Sequence, residues 1–369
     1  MNGDTYMKVG IVTFHFVNNF GGALQAYALQ KAVMKRCAIT SVKLVDYRNW
    51  FIRFTDTVRL FPITGNMVEL KTGLKTMKQR FNRLKRFRKF CEDNCDMTRY
   101  YRNGMSLRLY PPDCDKYILG SDQIWNPVLT GGVADPYFGG FEKDSKNKFS
   151  YAPSFGNNNI HRFFKNRVRR YLLSLGSISV REKEGKNLVE ALTGRKAVQL
   201  IDPSFLLERN EWDEIAVKPD IKGKYILVYI MQRDNSIYEY ARKLKAKLGI
   251  QLVEISRYGY KPDFIDISLI DVGPGEFVGL FQNAACICTN SYHGLSFSLI
   301  FQKDLYLIQC KRFKGRINNL LDLLHINIPE LLSSNDPQCM LYDKERVEEI
   351  VIQERKKAFE YIRRNLEKQ

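Results

Sequence analysis

Short apolar runs alternate with stretches of helical periodicity along most of the chain. The first apolar run, residues 8–14, is followed by a polar loop with glycines and then, from residue 23, by strong helix formers. A second apolar run at 41–45 completes a β-α-β unit, whose crossover is right-handed in nearly all proteins. The pattern predicts a parallel sheet, and folds of this kind bind ligands where the carboxyl ends of the strands meet.

The alternation continues in two blocks, separated by a charged break at 208–223. The first block predicts further strands at 116–120, 148–151, 177–180 and 197–201, with helices near 160–175 and 186–192. The second block predicts strands at 224–230, 251–255, 285–289 and 304–309, with helices at 236–248, 275–283, 294–301 and 315–324. We therefore predict an α/β protein with two doubly wound Rossmann-like domains, 1–208 and 209–341, facing each other across a cleft, and an amphipathic helix at 342–369.

A basic helical insertion at about 49–112 interrupts the first domain. Its residues 71–90 include nine Lys or Arg and no acid. Within this segment and just before it, apolar residues recur at helical spacing, namely Leu70, Leu74, Met77, Phe81 and Leu84. Two interpretations stay open: the apolar stripe covers the domain while the basic face lies in water, or the helix contacts an anionic membrane surface.

Composition agrees with a globular protein of two domains, since 369 residues exceed the size of most single cores. Hydrophobic residues make up 44% of the chain and charged residues 27%, which is ordinary for such proteins. Lys and Arg (58) outnumber Asp and Glu (40), and the net charge of +18 favours an anionic partner. That partner is a phosphorylated substrate, an acidic polysaccharide, an anionic lipid surface or a nucleic acid.

The chain has neither a secretory signal pattern near its first residue nor a run of about 18 apolar residues, so we expect a cytoplasmic protein. Its eight cysteines are scattered. Neither Cys91 with Cys95 nor Cys286 with Cys288 is followed by the second pair of ligands that a zinc site needs. We expect reduced cysteines and no metal site.

The loop after the first predicted strand contains Asn19, Gly21 and Gly22. Paired glycines let the backbone approach a ligand, and the following helix N-terminus offers N–H groups to an anion. A tight strand-to-helix turn is the alternative. The loop lacks a G-x-G-x-x-G pattern, so we do not expect a dinucleotide.

A second loop, after the strand at 116–120, brings Asp122, Gln123 and Trp125 together. Asp122 is a candidate base for a sugar hydroxyl, and the face of Trp125 suits the apolar face of a sugar ring. The alternative is an aspartate that caps the following turn and a tryptophan that belongs to the core.

Arginines follow two of the predicted strands. Arg181 is suited to bidentate binding of a carboxylate or phosphate, and an ion pair with Glu182 or Glu184 is the alternative. Arg312 and Arg316 lie in a basic cluster beyond the last strand of the second domain, which either holds a phosphate or faces water.

His293 is the candidate catalytic residue of the second domain. It lies where a predicted strand ends and a helix begins, and Asn290 and Ser291 beside it add hydrogen-bonding groups. A lone histidine is more often structural, but this position favours chemistry. Two of the other three histidines are expected to be structural, and the role of His15 in the first loop stays open.

Six motifs, taken together and in this order, resemble the polysaccharide pyruvyl transferase family over residues 7–324. They lie at 21–29, 120–125, 151–156, 179–182, 202–206 and 292–294. The resemblance implies a bacterial enzyme with a fold similar to the glycosyltransferase B type. It also implies transfer of the pyruvyl unit of phosphoenolpyruvate onto two sugar hydroxyls as a ketal, with release of phosphate, in cell-surface polysaccharide biosynthesis. Such an enzyme requires no metal or redox cofactor.

By this resemblance, His293 matches the family's histidine, with a role as acid or in donor binding, and Arg181 matches the arginine expected to clamp the donor. The family often has an arginine two residues before that histidine, where this chain has Ser291. Either Arg312 or Arg316 supplies the missing charge, which we favour, or this branch uses a different acidic donor. A sugar, oligosaccharide or lipid-linked sugar acceptor is expected to contact Asn19, Gly21, Gly22, Gln123 and Trp125.

Two other functions stay open at this point. A glycosyltransferase that uses a nucleotide sugar has the same predicted fold, and a fold does not determine the function. A basic nucleic-acid-binding protein is supported only by the net charge and by the helix at 71–90. The chain has no RNP, helix-turn-helix or zinc-finger pattern, so we expect no nucleic-acid partner.

Overall fold

The computed structural model describes residues 7–39, 41–58, 61, 73–156, 159–231, 235–256, 262–308, 314–327 and 337–367. The chain divides into two compact units. Unit 1 comprises residues 1–56, 91–207 and 352–369, and unit 2 comprises residues 57–90 and 208–351. Each unit has its own parallel sheet and its own hydrophobic core.

Unit 1 contains six short strands, which are β1 (Lys8–Val12), β2 (Ser41–Leu44), β3 (Lys116–Leu119), β4 (Lys148–Ser150), β5 (Ser179–Val180) and β6 (Val198–Gln199). The first four form a parallel sheet in the order β2-β1-β3-β4, and β5 pairs with β6. Hydroxyl groups join the two sheets, because the Oγ of Ser150 donates to the Ser179 carbonyl (2.8 Å) and the Oγ of Ser179 donates to the Ser150 carbonyl (2.6 Å).

Unit 2 contains five strands, which are β7 (Tyr225–Tyr229), β8 (Gln251–Ile255), β9 (Ile267–Leu269), β10 (Cys286–Thr289) and β11 (Asp304–Leu307). They pair in parallel in the order β11-β10-β7-β8-β9. β7 is buried along its whole length, as expected for a parallel strand covered on both faces. In doubly wound sheets the ligand crevice opens where the strand order reverses, which is between β1 and β3 in unit 1 and between β7 and β10 in unit 2.

The helices up to residue 193 are α1 (Phe20–Arg36), α2 (Trp50–Val58), α3 (Met77–Asn94), α4 (Gly104–Leu109), α5 (Pro127–Thr130), α6 (Arg162–Leu173) and α7 (Lys183–Thr193). The later helices are α8 (Asn235–Leu248), α9 (Pro274–Asn283), α10 (Tyr292–Ile300), α11 (Lys314–Leu323) and α12 (Lys344–Leu366). Four short 3-10 helices are also described, at Asp135–Phe138, Ser145–Asn147, Pro203–Phe205 and Arg209–Glu214.

The C-terminal half of α12 packs on unit 1, with which residues 352–369 are grouped. The hydroxyl of Tyr361 donates to the carbonyl of Ser150 at the end of β4 (3.1 Å). Arg355 donates from Nε to the carbonyl of Phe205 (3.0 Å), and Arg363 donates to the carbonyl of Arg36 (2.7 Å). The last helix therefore stabilises three separate parts of the first unit.

The predicted fold class, α/β with two Rossmann-like domains, is confirmed. The cleft between the domains stays a prediction. The chain divides after residue 207, and residues 57–90, which we assigned to an insertion on the first domain, are grouped with unit 2. The sequence pattern missed β9 and the short helices α2, α4 and α5.

The predicted apolar stripe of the basic helix is not its buried face. Leu74 is 55% exposed and Phe81 is 42% exposed, whereas Arg80, Arg83 and Phe87 are buried. Leu70 lies outside the described residues. Hydrophobic periodicity identified the helix but not the side that packs, because Phe87 and Phe90 are buried on the other side while Met77 and Leu84 of the predicted stripe are only half-buried. Arg83 donates from Nη1 to the carbonyl of Ser256 (3.3 Å), and Arg86 forms an ion pair with Glu276.

Candidate active site

Asp122 lies just beyond β3, at the point in unit 1 where the strand order reverses. Its backbone is left-handed (φ 60°), a conformation that costs an ordinary residue about 1–3 kcal/mol. The preceding Gly120 has φ 129°, and a Cβ atom at that position would collide with the carbonyl oxygen of Tyr151. Such strain persists where the surroundings hold it in place, and it is concentrated at functional sites.

Gln25 of α1 holds the loop that carries Asp122 against the loop after β1. Its amide nitrogen donates to the hydroxyl of Thr13 (2.9 Å) and to the carbonyl of Gly22 (2.9 Å). Its amide oxygen accepts from the N–H of Ser121 (3.3 Å), and the hydroxyl of Thr13 donates to the Ser121 carbonyl (3.0 Å). All these groups are buried, so the network fixes the position of the aspartate.

The Asp122 carboxylate faces the first turn of α1. Its Oδ2 lies 3.4 Å from the position that a Cβ atom on Gly22 would occupy. The N-terminus of a helix favours negative charge, so this glycine lets the carboxylate approach a favourable electrostatic environment. On its other side, Oδ1 lies 4.0 Å from Nη1 of Arg181.

Arg181 lies among three carboxylates. It donates from Nε to Glu182 (2.8 Å) and from Nη1 to Asp202 (2.8 Å), in addition to its longer contact with Asp122. Asp202 is held in turn by the N–H (3.0 Å) and hydroxyl (2.7 Å) of Ser204. The ion pair with Glu182 that the sequence left open as an alternative is present, and binding of the donor by Arg181 stays a prediction.

Buried His15 and Asp46 form a cluster with half-buried Arg48 beyond β1 and β2. Nδ1 of His15 lies 3.0 Å from the carbonyl of Thr13, and Nε2 lies 3.2 Å from Asp46. Arg48 donates to both carboxylate oxygens of Asp46 (2.7 and 2.8 Å). Burial alone would raise the pKa of Asp46, but the hydrogen bonds and charges of His15 and Arg48 outweigh it and hold this pKa below its ordinary value.

Both ring nitrogens of His15 face oxygen acceptors, a carbonyl and an ionised carboxylate. These contacts anchor the loop that leads from β1 to the glycines of α1. The role of His15 was open from the sequence alone, where the available signal was that Asp46 follows the neighbouring predicted strand.

In unit 2, the segment 290–293 follows β10 beside the reversal of strand order. Asn290 is fully buried, and its side-chain oxygen accepts from the N–H of Met231 (2.8 Å), just beyond β7. Ser291 is the N-cap of α10 and accepts from the N–H of Gly294 (3.3 Å). The hydroxyl of Ser291 thus has a capping function that an arginine at this position would not provide.

His293 lies in the first turn of α10 and is largely buried, with its ring edge-on to Tyr292 (5.1 Å between centroids). A Cβ atom on the following Gly294 would collide with the hydroxyl of Thr289, which explains the glycine after the histidine. The three predicted residues Asn290, Ser291 and His293 therefore meet at the carboxyl edge of the second sheet, in the part of it that doubly wound folds use for ligands.

The other predicted site residues are placed differently. Asn19 caps α1 by accepting from the N–H of Gly21 (3.0 Å), and Gln123 accepts from Asn126 (2.9 Å). Trp125 is 1% exposed and stacks on Phe138 (5.2 Å between centroids), so it belongs to the core and offers no face to a sugar. Half-buried Arg316 lies in α11, and Arg312 lies outside the described residues.

Two negative results apply to the described part of the chain. Its acidic, histidine and cysteine side chains form no group of three or more that could hold a metal ion. Among the same residues, no helix combines the length and the apolar character needed to cross a membrane.

The family model described as polysaccharide pyruvyl transferase matches residues 19–308. A search of curated protein sequences finds no match. Among solved structures, the chain is similar to S. aureus MnaA with UDP (13% identity, 94% of this chain and 95% of that chain covered, TM-score 0.46). It is also similar to UDP-GlcNAc 2-epimerase from Neisseria meningitidis bound to UDP-GlcNAc (12% identity, 98% of this chain and 95% of that chain covered, TM-score 0.44). A third similar structure is the glycosyltransferase SnogD from Streptomyces nogalater (11% identity, 98% of this chain and 95% of that chain covered, TM-score 0.39).

Proposed function

Because the chain belongs to the polysaccharide pyruvyl transferase family, we propose that it transfers the pyruvyl unit of phosphoenolpyruvate onto a sugar as a ketal. Two sugar hydroxyl oxygens form bonds to C2 of the donor, the bond from C2 to the phosphate oxygen breaks, and the methylene carbon C3 becomes a methyl group. The two sugar hydroxyls lose two protons in total. C3 gains one proton, and the phosphate leaves with the other as hydrogen phosphate.

Asp122 is the proposed base for the sugar hydroxyls. The observation that carries this proposal is its strained, fixed position at the reversal of strand order, between the N-terminus of α1 and Arg181. A general base must be held at a defined place beside its substrate, and the network through Gln25 provides that. Arg181 acts through Asp122 in this scheme, because its own contacts are with carboxylates.

His293 is the proposed acid that protonates C3, and Asn290 binds the donor beside it. Both are placed by the end of β10 and by α10 in unit 2. The donor carries a carboxylate and a phosphate, and Ser291 adds no charge to balance them. Arg312 and Arg316 are the proposed sources of positive charge from the chain beyond β11, and Ala at either position is expected to raise the KM for the donor sharply.

The outer face of α3 is the proposed contact with an anionic membrane. Leu74, in the helical turn at 73–75 just before α3, and Lys78, Phe81 and Lys85 of α3 follow each other at helical spacing, and all four are exposed. Apolar side chains between lysines on one exposed face are typical of helices that lie in a lipid interface. We propose that this face holds a cytoplasmic bacterial enzyme at the inner membrane, where a lipid-linked sugar acceptor is available for cell-surface polysaccharide.

The test is incubation of the protein with phosphoenolpyruvate and a panel of methyl glycosides and lipid-linked sugars. Release of phosphate must depend on the acceptor, and the product must show a new methyl signal by NMR. In deuterium oxide that methyl group carries one deuterium, because C3 takes its third hydrogen from solvent through the acid. Release of UDP from UDP-sugars, without any reaction of phosphoenolpyruvate, would instead establish the nucleotide-sugar alternative.

A further inference from the structure

The outer face of α6 carries positive charges and no negative ones. Val168 and Leu172 are buried and pack the helix on unit 1. The cations of the helix are all exposed, namely Arg162, Lys165, Arg167, Arg169 and Arg170. No Asp or Glu occurs in the sequence between Asp144 and Glu182, so the chain on either side of α6 contributes no acid to balance this face.

These cations have no carboxylate partner within the described part of the chain. Arg169 donates from Nε to the carbonyl of Leu192 (2.9 Å), and the guanidinium groups of Arg167 and Arg170 each lie 5.9 Å from the centre of the Tyr171 ring. The ion pairs described in unit 1 lie elsewhere, and none of them includes a residue of α6. The positive charge of this face is therefore not neutralised by the described residues.

The charge pattern does not stabilise the helix itself. Arg162 and Lys165 lie in the first turn, where the helix dipole disfavours positive charge. Like charges three or four residues apart also destabilise a helix, and α6 has three such pairs, which are Arg162 with Lys165, Lys165 with Arg169, and Arg167 with Arg170. An anionic partner would offset both effects.

Apolar side chains share this face with the cations. At about 100° per residue, four side chains form a strip about 80° wide on the side opposite Val168 and Leu172, namely Phe163, Asn166, Arg170 and Leu173. Phe163 is 80% exposed and Leu173 is 40% exposed. By the same spacing, Arg162, Lys165 and Arg169 flank the strip on one side and Arg167 flanks it on the other.

A membrane surface fits this arrangement better than a polyanion in solution. A chain of RNA or acidic polysaccharide needs a continuous row of cations, and Phe163, Asn166 and Leu173 interrupt the middle of the face. A lipid surface is broad enough to neutralise the cations on both sides of the strip at once. Its acyl boundary also takes up the apolar side chains between them.

We propose that the outer face of α6 binds an anionic lipid surface, which gives unit 1 a membrane contact of its own. The guanidinium groups reach lipid phosphates while their apolar stems stay along the helix, and Phe163 enters the boundary between headgroups and acyl chains. The proposal goes beyond the proposed function, because it requires neither the transfer of a pyruvyl unit nor the contact through α3.

Sedimentation with vesicles, in the absence of substrate, tests the proposal. The wild type should bind phosphatidylcholine vesicles that contain phosphatidylglycerol more tightly than pure phosphatidylcholine vesicles. R162Q/R170Q should bind the anionic vesicles at least about tenfold more weakly, since each cation near such a surface strengthens binding about fivefold. F163S should weaken binding at least about tenfold as well, because it removes the largest apolar side chain of the face.

The matched control is K43Q/R102Q, which removes the same net charge from two exposed positions of unit 1 outside α6. At physiological ionic strength it should bind within about twofold of the wild type, since charges away from the contact are screened. All the substituted side chains are exposed, so the circular dichroism of the variants should match that of the wild type.

Equal binding by R162Q/R170Q and K43Q/R102Q would overturn the proposal, and so would an F163S protein that binds like the wild type. It is also wrong if R162Q/R170Q weakens binding of RNA or polygalacturonate and leaves vesicle binding unchanged, because the partner is then a polyanion. If only L74S/F81S loses vesicle binding, the contact through α3 stands and the contact through α6 does not. A protein that binds vesicles through α6 but transfers no pyruvyl unit supports this proposal and contradicts the proposed function.

Discussion

Asp122 and Arg181 approach each other at the carboxyl edge of the first sheet, with Oδ1 and Nη1 separated by 4.0 Å. The distance is longer than the 2.8 Å contacts that the same guanidinium makes with Glu182 and Asp202. The Asp122 carboxylate therefore lies near the guanidinium without being tied to it by a short hydrogen bond. That arrangement suits a carboxylate that has to exchange a proton with a substrate.

Replacing Asp122 by Asn removes the proposed base and preserves the shape of the side chain. We expect kcat for ketal formation to fall by about 10²–10⁴-fold, the usual contribution of a general base, with little change in the KM for the donor. The control is D113N, since Asp113 is exposed and forms only a surface ion pair with Lys8. Steady-state assays of phosphate release measure both variants, and a D122N enzyme with full activity would exclude Asp122 as the base.

Arg181 is expected to matter for stability as well as for activity. The R181Q variant leaves Asp202 and Glu182 buried without their cation, and breaking a buried pair in this way costs about 3–5 kcal/mol. Urea denaturation followed by circular dichroism gives the free energy of unfolding. The control, R162Q, changes an exposed arginine of α6 and should stay within about 0.5 kcal/mol of the wild type. Equal stability of R181Q and the wild type would contradict the buried ion-pair cluster.

The Asp46 cluster predicts a dependence of stability on pH. The pKa of Asp46 is lower in the folded protein than its ordinary value, so the unfolded chain binds a proton first as the pH falls. The stabilisation is therefore fully present when the pH is above the ordinary pKa of an aspartate, about 3.9. It is lost as the pH falls through the lower pKa that Asp46 has in the folded protein. At pH 7 we expect D46N to lower the free energy of unfolding by about 1.5–3 kcal/mol, the range for hydrogen bonds to a charged group.

Denaturant titrations of D46N and the wild type between pH 7 and pH 3 check this prediction. The difference in the free energy of unfolding should be largest near neutrality and should shrink in the acid range. A difference that grows on acidification would have the wrong sign and would mean that the carboxylate is destabilised by its surroundings.

The sequence was sufficient to predict the strands of the two sheets, because these strands are short apolar runs bounded by polar loops. Residues 225–229 and 286–289, for example, are buried strands that the apolar runs at 224–230 and 285–289 predicted closely. The strand ends then located Asp122 and the segment 290–293, since carboxyl ends of parallel strands share an edge. These inferences need only local pattern and the rules of parallel sheets.

The rest depended on tertiary contacts that no local pattern contains. The helical spacing of Leu74 and Phe81 gave the wrong buried face for α3, because Phe87 and Phe90 are buried on its other side. Trp125 was predicted at a ligand and lies in the core, since its position in a loop does not reveal the ring of Phe138 that stacks on it. The pairing of His15 with Asp46 joins two strands that are distant in sequence.

The exposed face of α3 predicts binding to anionic vesicles. Phosphatidylcholine vesicles that contain phosphatidylglycerol should bind the wild type, and pure phosphatidylcholine vesicles should bind it less, with the difference reduced by salt. The double variant L74S/F81S should bind at least about tenfold more weakly, since each large apolar side chain contributes about 1.5–3 kcal/mol when it is buried in the interface. Sedimentation of vesicles with the bound protein measures both effects.

The control for that experiment is L341S, which removes an apolar side chain that is 85% exposed outside α3. Its vesicle binding should equal that of the wild type. If the wild type itself ignores phosphatidylglycerol, or if L341S weakens binding as much as L74S/F81S does, then the outer face of α3 is not the membrane contact.

Gly120 links the fold directly to the position of Asp122. Its φ of 129° is accessible to glycine alone, and a Cβ atom there would collide with the Tyr151 carbonyl oxygen. We therefore expect G120A to lower the free energy of unfolding by at least about 3 kcal/mol. It should also reduce kcat, because it displaces Asp122. G315A is the matched control, because nothing lies within 4 Å of a Cβ atom on Gly315 in α11. There alanine should stabilise the protein by about 0.5–1 kcal/mol through helix propensity. The midpoints of thermal and urea denaturation of the two variants should therefore shift in opposite directions. A G120A protein as stable and active as the wild type would show that the strained backbone is not what holds Asp122 in place.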